Sequence, residues 1–199
     1  MEVSIDKVKQ LREKTGAGIM DCKKALAETG GDIDAAVEFL RKKGMAKAAK
    51  LVSRKATEGL VHAYIHPGGR IGALVEVNCE TDFVARTDEF KTLVNDIAMQ
   101  VAATAPQALT PDDLDDDIIE KEKEIYRSQA VAEGKPEKIV EKIVENKIQK
   151  FYEEVCLLEQ AFIKDPEVKV GDLVKQLSGK VGENIVIRRF ARFQLGDLS

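Results

Sequence analysis

The chain has 199 residues, of which 44% are hydrophobic and 33% are charged, and its net charge is -4. This length provides hydrophobic cores for one large or two small domains. The acidic excess, without a basic stripe, argues against direct binding to nucleic acid. No apolar run approaches the ~20 residues that a membrane span needs. The N-terminus lacks the basic-then-apolar pattern of a signal peptide, so we expect a cytoplasmic protein.

The cysteines and the known sequence motifs argue against chemistry carried out by the chain itself. Cys22, Cys79 and Cys156 are odd in number and widely spaced, which favours reduced thiols over a disulfide framework or a zinc site. The sequence contains no phosphate-binding loop, no dinucleotide fingerprint and no nucleophile elbow. We therefore expect no cofactor, no metal ligands and no catalytic residues, so that the protein is not an enzyme.

Residues 1–54 are predicted to form an N-terminal helical domain of three short helices. The expected helices span residues 5–14, 19–28 and 33–43, and a short basic helix is expected over residues 46–52. Gly44 is expected to end the third helix. Ile19 and Met20 follow a glycine-rich turn, and adjacent helix positions point about 100° apart. We therefore expect one of these two side chains to be exposed.

Residues 55–199 are predicted to form a core and dimerisation domain that begins with a β-hairpin. Gly59–His66 and Arg70–Val77 alternate like strands, and Pro67 with two glycines supplies the turn between them. His62 and His66 share one face of the first strand, roughly 13 Å apart at ~3.3 Å per residue. One metal ion cannot bind both, so they are interpreted as surface or interface residues.

The rest of this core is predicted to be mainly helical. The expected helices cover residues 88–103, 118–133, 138–158 and 170–181, and the expected last strand covers residues 183–195. The acidic run at 112–117 lacks the spacing of a calcium loop and is interpreted as a solvated helix entry. Apolar pairs along 138–158 form a wide stripe, which could contact the sheet on one side and a second chain on the other.

One segment lies where the second predicted strand passes to a helix, which Thr87 is placed to cap. This segment, Asn78–Arg86, contains Phe83 between an aspartate and a valine. Phe83 has two interpretations. It either folds back into the core, as most large apolar residues do, or it is an exposed anchor for the pocket of a partner.

The run Asn78-Cys-Glu-Thr-Asp-Phe-Val-Ala85 resembles the signature of the translation elongation factor Ts family. Members of this family are nucleotide exchange factors for the GTPase elongation factor Tu. Two further segments, Leu11–Leu26 and Ile185–Phe190, resemble the same family in order and spacing. The resemblance covers essentially the whole chain.

The resemblance implies an α+β fold. A small N-terminal three-helix bundle, similar to a ubiquitin-associated domain, would precede a core with a small antiparallel sheet flanked by helices and a long helical dimerisation region. It also implies site residues, all of which contact elongation factor Tu. Four would dislodge Mg²⁺ from it (Thr81, Asp82, Phe83 and Val84), and four would contact its nucleotide-binding domain (Arg12, Ile19, Met20 and Lys23).

The resemblance further implies a homodimer, because long family members carry the core subdomain twice and this chain carries it once. The expected assembly is a 2:2 complex with elongation factor Tu. Ala191 stands where some short members have a cysteine, so a disulfide between chains is not expected there.

Two other classes of function remain open on the sequence alone. The first is a helical adaptor that binds protein partners through residues 1–54. The second is an unrecognised enzyme that uses His62, His66 or Cys79.

Overall fold

The computed structural model describes residues 4–197, which form an α+β fold of eight helices and a small antiparallel sheet. The helices are α1 (Ile5–Thr15), α2 (Ile19–Glu28), α3 (Ile33–Ala49), α4 (Asp82–Ala85), α5 (Asp88–Thr104), α6 (Asp116–Ala132), α7 (Glu137–Val155) and α8 (Val170–Val181). The strands are β1 (Glu58–Ile65), β2 (Ile71–Cys79), β3 (Ala161–Phe162), β4 (Asp165–Lys169) and β5 (Val186–Gln194). None of the described helices is long and apolar enough to cross a membrane.

The described residues divide into two compact units. The first comprises residues 4–60, 77–91 and 172–186, and the second comprises residues 61–76, 92–171 and 187–197. The three-stranded sheet, in the order β1-β2-β5, contributes residues to both units. The first unit thus joins the N-terminal helices to two later segments. The predicted domain boundary after residue 54 stays a prediction.

The N-terminal helices form a small core in the first unit. Its fully buried side chains are Leu11, Cys22, Ala25, Leu26 and Ala36. Asp32 caps α3 as predicted, because its Oδ1 accepts a hydrogen bond from Ala35 N at 2.9 Å. One of Ile19 and Met20 was expected to be exposed, and both are, at 56% and 76%. Both lie on the first turn of α2, as does Cys22, which is buried in this core.

The prediction that Gly44 ends the third helix is wrong. The helix α3 continues through Gly44 to Ala49, so residues 46–49 of the separate basic helix expected over residues 46–52 belong to α3. A Cβ atom placed on Gly179 of α8 would lie 2.3 Å from the Gly44 carbonyl oxygen. The two backbones therefore approach closely at a pair of glycines. The helix accommodates Gly44 although a glycine inside a helix costs about 1 kcal/mol relative to alanine.

In the second unit, α6 and α7 form a helical hairpin with its own core. The buried side chains are Ala130, Val140, Val144 and Ile148, with Tyr126, Ile143 and Tyr152 packed against them. Arg127 donates to Glu141 at 2.9 Å and holds the pKa of that carboxyl below its usual value. Part of the wide apolar stripe predicted over 138–158 is therefore covered by α6.

A two-stranded antiparallel sheet, β3 with β4, was not predicted. The buried Gln100 side chain holds its start, since the amide donates to Ala161 O at 3.1 Å and accepts from Ile163 N at 2.9 Å. Strands this short leave no periodic pattern in the sequence, and the amide network that fixes them joins residues about 60 positions apart.

Candidate functional site

The segment Asn78–Arg86 connects β2 to α5, as predicted, but it contains an additional one-turn helix. Thr81 is extended (φ -128°, ψ 153°) and its hydroxyl accepts from Val84 N at 3.4 Å, so that it caps α4. Thr87 then caps α5, because its hydroxyl accepts from Phe90 N at 3.2 Å. Two threonine caps, each accepting from a backbone N–H three residues later, thus set the course of the backbone through this site.

Phe83 lies on α4 and is 80% exposed. The interpretation that it folds back into the core is therefore wrong. Its neighbour Val84 is half-buried and Ala85 is buried, so the inner side of this short helix is fixed by small apolar contacts. Positions 83 and 85 are about 200° apart around a helix, and burial of Ala85 therefore turns Phe83 outward.

Asp82 forms an ion pair with Arg86 one turn later, at 2.7 Å. Both side chains are substantially exposed, at 47% and 78%. Exposed pairs of this kind contribute about 0.2–1 kcal/mol. The Asp82 carboxylate is thus oriented by its own helix and can exchange Arg86 for another basic group at little cost.

The backbone before α4 is held by a carboxylate from the far end of the sequence. Glu183 accepts hydrogen bonds from Glu80 N at 3.1 Å, Thr81 N at 3.0 Å and Thr81 Oγ1 at 2.6 Å. Sequence reasoning missed Glu183, which lies 102 positions after Thr81. The only feature of the nearby sequence that marks Glu183 is its position directly after Gly182, the glycine that follows α8.

Cys79 supports the same turn as a neutral thiol. Its sulfur donates to Thr81 O at 3.1 Å. Burial, reinforced by the nearby Glu183 charge, raises the pKa of Cys79 from 9.0 to about 11. A thiol with so high a pKa is a poor nucleophile at neutral pH. Cys22 and Cys156 are likewise buried and free.

The four N-terminal candidate residues are all exposed, and they belong to the same unit as Phe83. Arg12 lies on the last turn of α1, and Ile19, Met20 and Lys23 lie on the first turns of α2. The turn between these helices rests on α8, since a Cβ atom at Gly16 would overlap the Lys180 ammonium. Two apolar side chains flanked by basic groups suit contact with a partner surface.

His62 on β1 and His66, directly after it, have separate partners. His62 Nε2 lies 3.3 Å from Asn95 Oδ1, and His66 Nδ1 lies 3.0 Å from the Tyr64 hydroxyl. Within residues 4–197, no group of three or more His, Cys, Asp and Glu residues is placed to hold a metal ion. These contacts connect neither histidine to Cys79.

Comparison with known proteins places this sequence in a family. The family model described as elongation factor TS matches residues 9–197. The chain belongs to the elongation factor Ts family. It is 60% identical over 190 residues to elongation factor Ts of Carboxydothermus hydrogenoformans, covering 96% of this chain and 88% of the relative. It is 58% identical over 195 residues to that of Caldanaerobacter subterraneus subsp. tengcongensis, covering 98% of each chain.

A third relative, elongation factor Ts of Desulforamulus reducens, is 59% identical over 196 residues, or 98% of this chain and 90% of the relative. The resemblance seen in three sequence segments is thus confirmed over nearly the full length. An adaptor built on residues 1–54 alone would leave most of this match unexplained. The roles of the individual site residues stay predictions.

Proposed function

We infer that the chain is a nucleotide exchange factor for elongation factor Tu in translation elongation. The family match over residues 9–197 and identities near 60% support this function. An exchange factor changes the affinity of another protein for its nucleotide and makes or breaks no covalent bond, so it is not an enzyme in the strict sense. Release of labelled GDP from elongation factor Tu, with and without this protein, tests the assignment.

The proposed mechanism assigns the exchange to the loop Thr81–Val84, which would displace the Mg²⁺ of the GTPase. One observation carries this proposal: Phe83 is 80% exposed on a one-turn helix whose inner side is fixed. A large apolar side chain presented in this way is available to enter a pocket of the partner. Loss of Mg²⁺ would remove positive charge that holds the nucleotide phosphates in the GTPase, and the nucleotide would then leave.

Exchange requires the factor to bind nucleotide-free GTPase more tightly than the GDP-bound form, and by linkage GDP then weakens binding of the factor equally. A thousandfold effect needs ~4 kcal/mol of coupling, at about 1.4 kcal/mol per tenfold. Burial of one phenylalanine supplies only ~2–3 kcal/mol. Phe83 therefore needs help from other contacts with the GTPase.

The N-terminal helices are proposed to supply those contacts through Arg12, Ile19, Met20 and Lys23. Their support is that all four side chains are exposed and that their helices belong to the same unit as the loop. Met20, at 76% exposure, is an unbranched side chain that adapts readily to a partner surface. The likeness of this bundle to a ubiquitin-associated domain belongs to the same proposal.

A homodimer that binds two GTPases is proposed as the assembly. Its support is an exposed apolar surface on one face of the sheet in the second unit. This sheet face comprises Val61, Ala63, Ile65, Leu74, Phe193 and Leu195. Val61 and Ile65 are each 65% exposed, and Phe193 is 71% exposed. An apolar surface of this kind is typical of an interface between chains.

The loop mechanism is tested with Phe83→Ala. We expect GDP release at saturating factor to slow by about tenfold to a hundredfold, because the variant loses burial of one large side chain. Val131→Ala removes an apolar side chain that is 62% exposed on α6 and should keep the parental rate. Parental exchange by Phe83→Ala, or by a chain with Gly and Ser in place of Thr81–Val84, would contradict the mechanism.

A further inference from the structure

The turn that carries Glu183 is itself firmly held. The helix α8 ends at Val181, and Gly182 follows with a positive φ of 79°. Gly182 N donates to Ser178 O at 2.8 Å, and the Ser178 hydroxyl donates to Glu183 O at 2.5 Å. The main chain of Glu183 is thereby fixed to the last turn of α8, and its carboxylate has a defined position.

The carboxylate accepts from two successive main-chain amides and one hydroxyl of the loop. These groups follow the last residue of β2, where the sheet no longer supplies partners for the main chain. Hydrogen bonds to a charged acceptor are shorter and stronger than those between neutral groups. Glu183 therefore determines where Thr81, the cap of α4, begins the helix that carries Phe83.

A reciprocal contact closes the arrangement. The Glu80 carboxylate accepts from Asn184 N at 2.7 Å and lies 3.5 Å from the Arg54 guanidinium. The side-chain amide of Asn184 donates through Nδ2 to Val52 O at 3.2 Å and to Arg54 O at 2.8 Å. Glu183 thus holds the main chain at residues 80 and 81, and Glu80 holds the main chain at Asn184. Both segments also contact the residues that follow α3.

A helix of four residues has no stability of its own, because helix nucleation is unfavourable and short isolated helices are marginal in water. Its orientation depends on what holds its ends. We propose that Glu183 is the positioning residue of the exchange loop: it holds Thr81 so that α4 presents Phe83 to the GTPase. This inference rests on the proposed function of the Thr81–Val84 loop.

The test is a double-mutant cycle between Glu183→Gln and Phe83→Ala, read as GDP release from elongation factor Tu at saturating factor. We expect Glu183→Gln to slow release by about tenfold, because it loses the charge that strengthens three hydrogen bonds. In the Phe83→Ala background, Glu183→Gln should change the rate less than twofold. A residue that only supports the fold would have the same effect in both backgrounds.

Two further variants complete the cycle. Glu183→Asp keeps the charge on a shorter side chain and should slow release by less than Glu183→Gln does. If Glu183→Gln unfolds, as judged by circular dichroism, Glu183→Asp replaces it in the cycle. Glu167→Gln removes an exposed carboxylate of β4 and serves as the matched control with the parental rate.

The outcomes separate this inference from the proposed function. Parental exchange by both Glu183 variants, or equal effects with and without Phe83, would overturn the positioning role while leaving the loop mechanism intact. Parental exchange by Phe83→Ala would instead overturn the loop mechanism. Slow release by Glu183→Gln together with parental release by Phe83→Ala would show that Glu183 acts through another group, and would also overturn the proposal.

Discussion

Phe83 and Cys79 illustrate how neighbouring residues of one segment reach opposite environments. Phe83 is 80% exposed, whereas Cys79 is fully buried and donates a hydrogen bond to the main chain of Thr81. The difference follows from position, since Cys79 ends a strand whose alternate side chains point inward and Phe83 lies on the outer side of α4. At the residue scale, the strand thus ends in a structural thiol, and a residue available to a partner follows it.

The pKa of the Cys79 thiol leads to a prediction about alkaline pH. Burial raises this pKa from 9.0 to about 11, so the folded chain keeps a proton that the unfolded chain releases above pH 9. The stabilisation from the neutral thiol is therefore complete below about pH 9 and is lost as the pH rises from about 9 to about 11.

The measurement compares urea unfolding of the parent and of Cys79→Ala at pH 8.5 and 10.5. All other groups titrate in both proteins, so the difference isolates this thiol. We expect the free energy of unfolding to fall less between the two pH values in the variant than in the parent, whatever the stability of the variant at pH 8.5. An equal fall in both proteins would contradict the raised pKa.

At the scale of elements, α3 runs through Gly44 and contacts α8 there. A Cβ atom on Gly179 would lie 2.3 Å from the Gly44 carbonyl oxygen, so the missing side chain of Gly179 allows the two backbones to approach. The same α8 leads through Gly182 to Glu183, which holds the exchange loop. The packing of α8 against α3 therefore also fixes the main chain from which Glu183 reaches Thr81.

Alanine substitutions at the two glycines are expected to change the stability of the protein in opposite directions. Gly179→Ala should destabilise the protein by about 1–3 kcal/mol, because the new Cβ atom would lie 2.3 Å from Gly44 O and something must shift. Gly44→Ala should stabilise it by about 0.5–1 kcal/mol, because the position is helical and a Cβ atom there meets nothing within 4 Å. Urea unfolding of the two variants measures both effects. Equal shifts in the same direction would show that the close approach is not tight.

At the scale of the whole chain, each candidate surface lies within one unit. The exchange loop, Glu183 and the exposed N-terminal residues all belong to the first unit, and the exposed sheet face belongs to the second. None of the hydrogen bonds described for the exchange loop involves a residue of the sheet face, so the two surfaces can be changed in separate variants. The proposed contacts with the GTPase and with a second chain are thereby separable.

The assembly is predicted to depend on the sheet face. We expect light scattering to give the mass of two chains for the parent and of one chain for Ile65→Asp combined with Phe193→Asp, because charges buried in an interface without partners are costly. Val131→Asp, which places a charge at an exposed apolar site on α6, should keep the parental mass. A parent with the mass of one chain would contradict the homodimer.

Much of the fold was predictable because its signals are local. The alternation in β1 and β2, the turn at Pro67 and the helix predicted over residues 88–103, observed as α5, each depend on residues that are close together in the sequence. The signature around Phe83 likewise located the candidate site, since its residues are contiguous. Element ends were less predictable: the last strand starts at Val186 instead of residue 183, because Glu183 and Asn184 make their contacts elsewhere.

The amino-acid order by itself determined most of the helices, the hairpin of β1 and β2, the position of the exchange loop and the family, because periodicity, capping and a contiguous motif all act over short distances along the chain. Only the tertiary structure decided that Phe83 points outward, that α3 runs through Gly44 and that Glu183 holds Thr81. Each of these depends on a contact or a burial set by residues distant in sequence. The free energy of such contacts arises only when the folded chain brings the partners together.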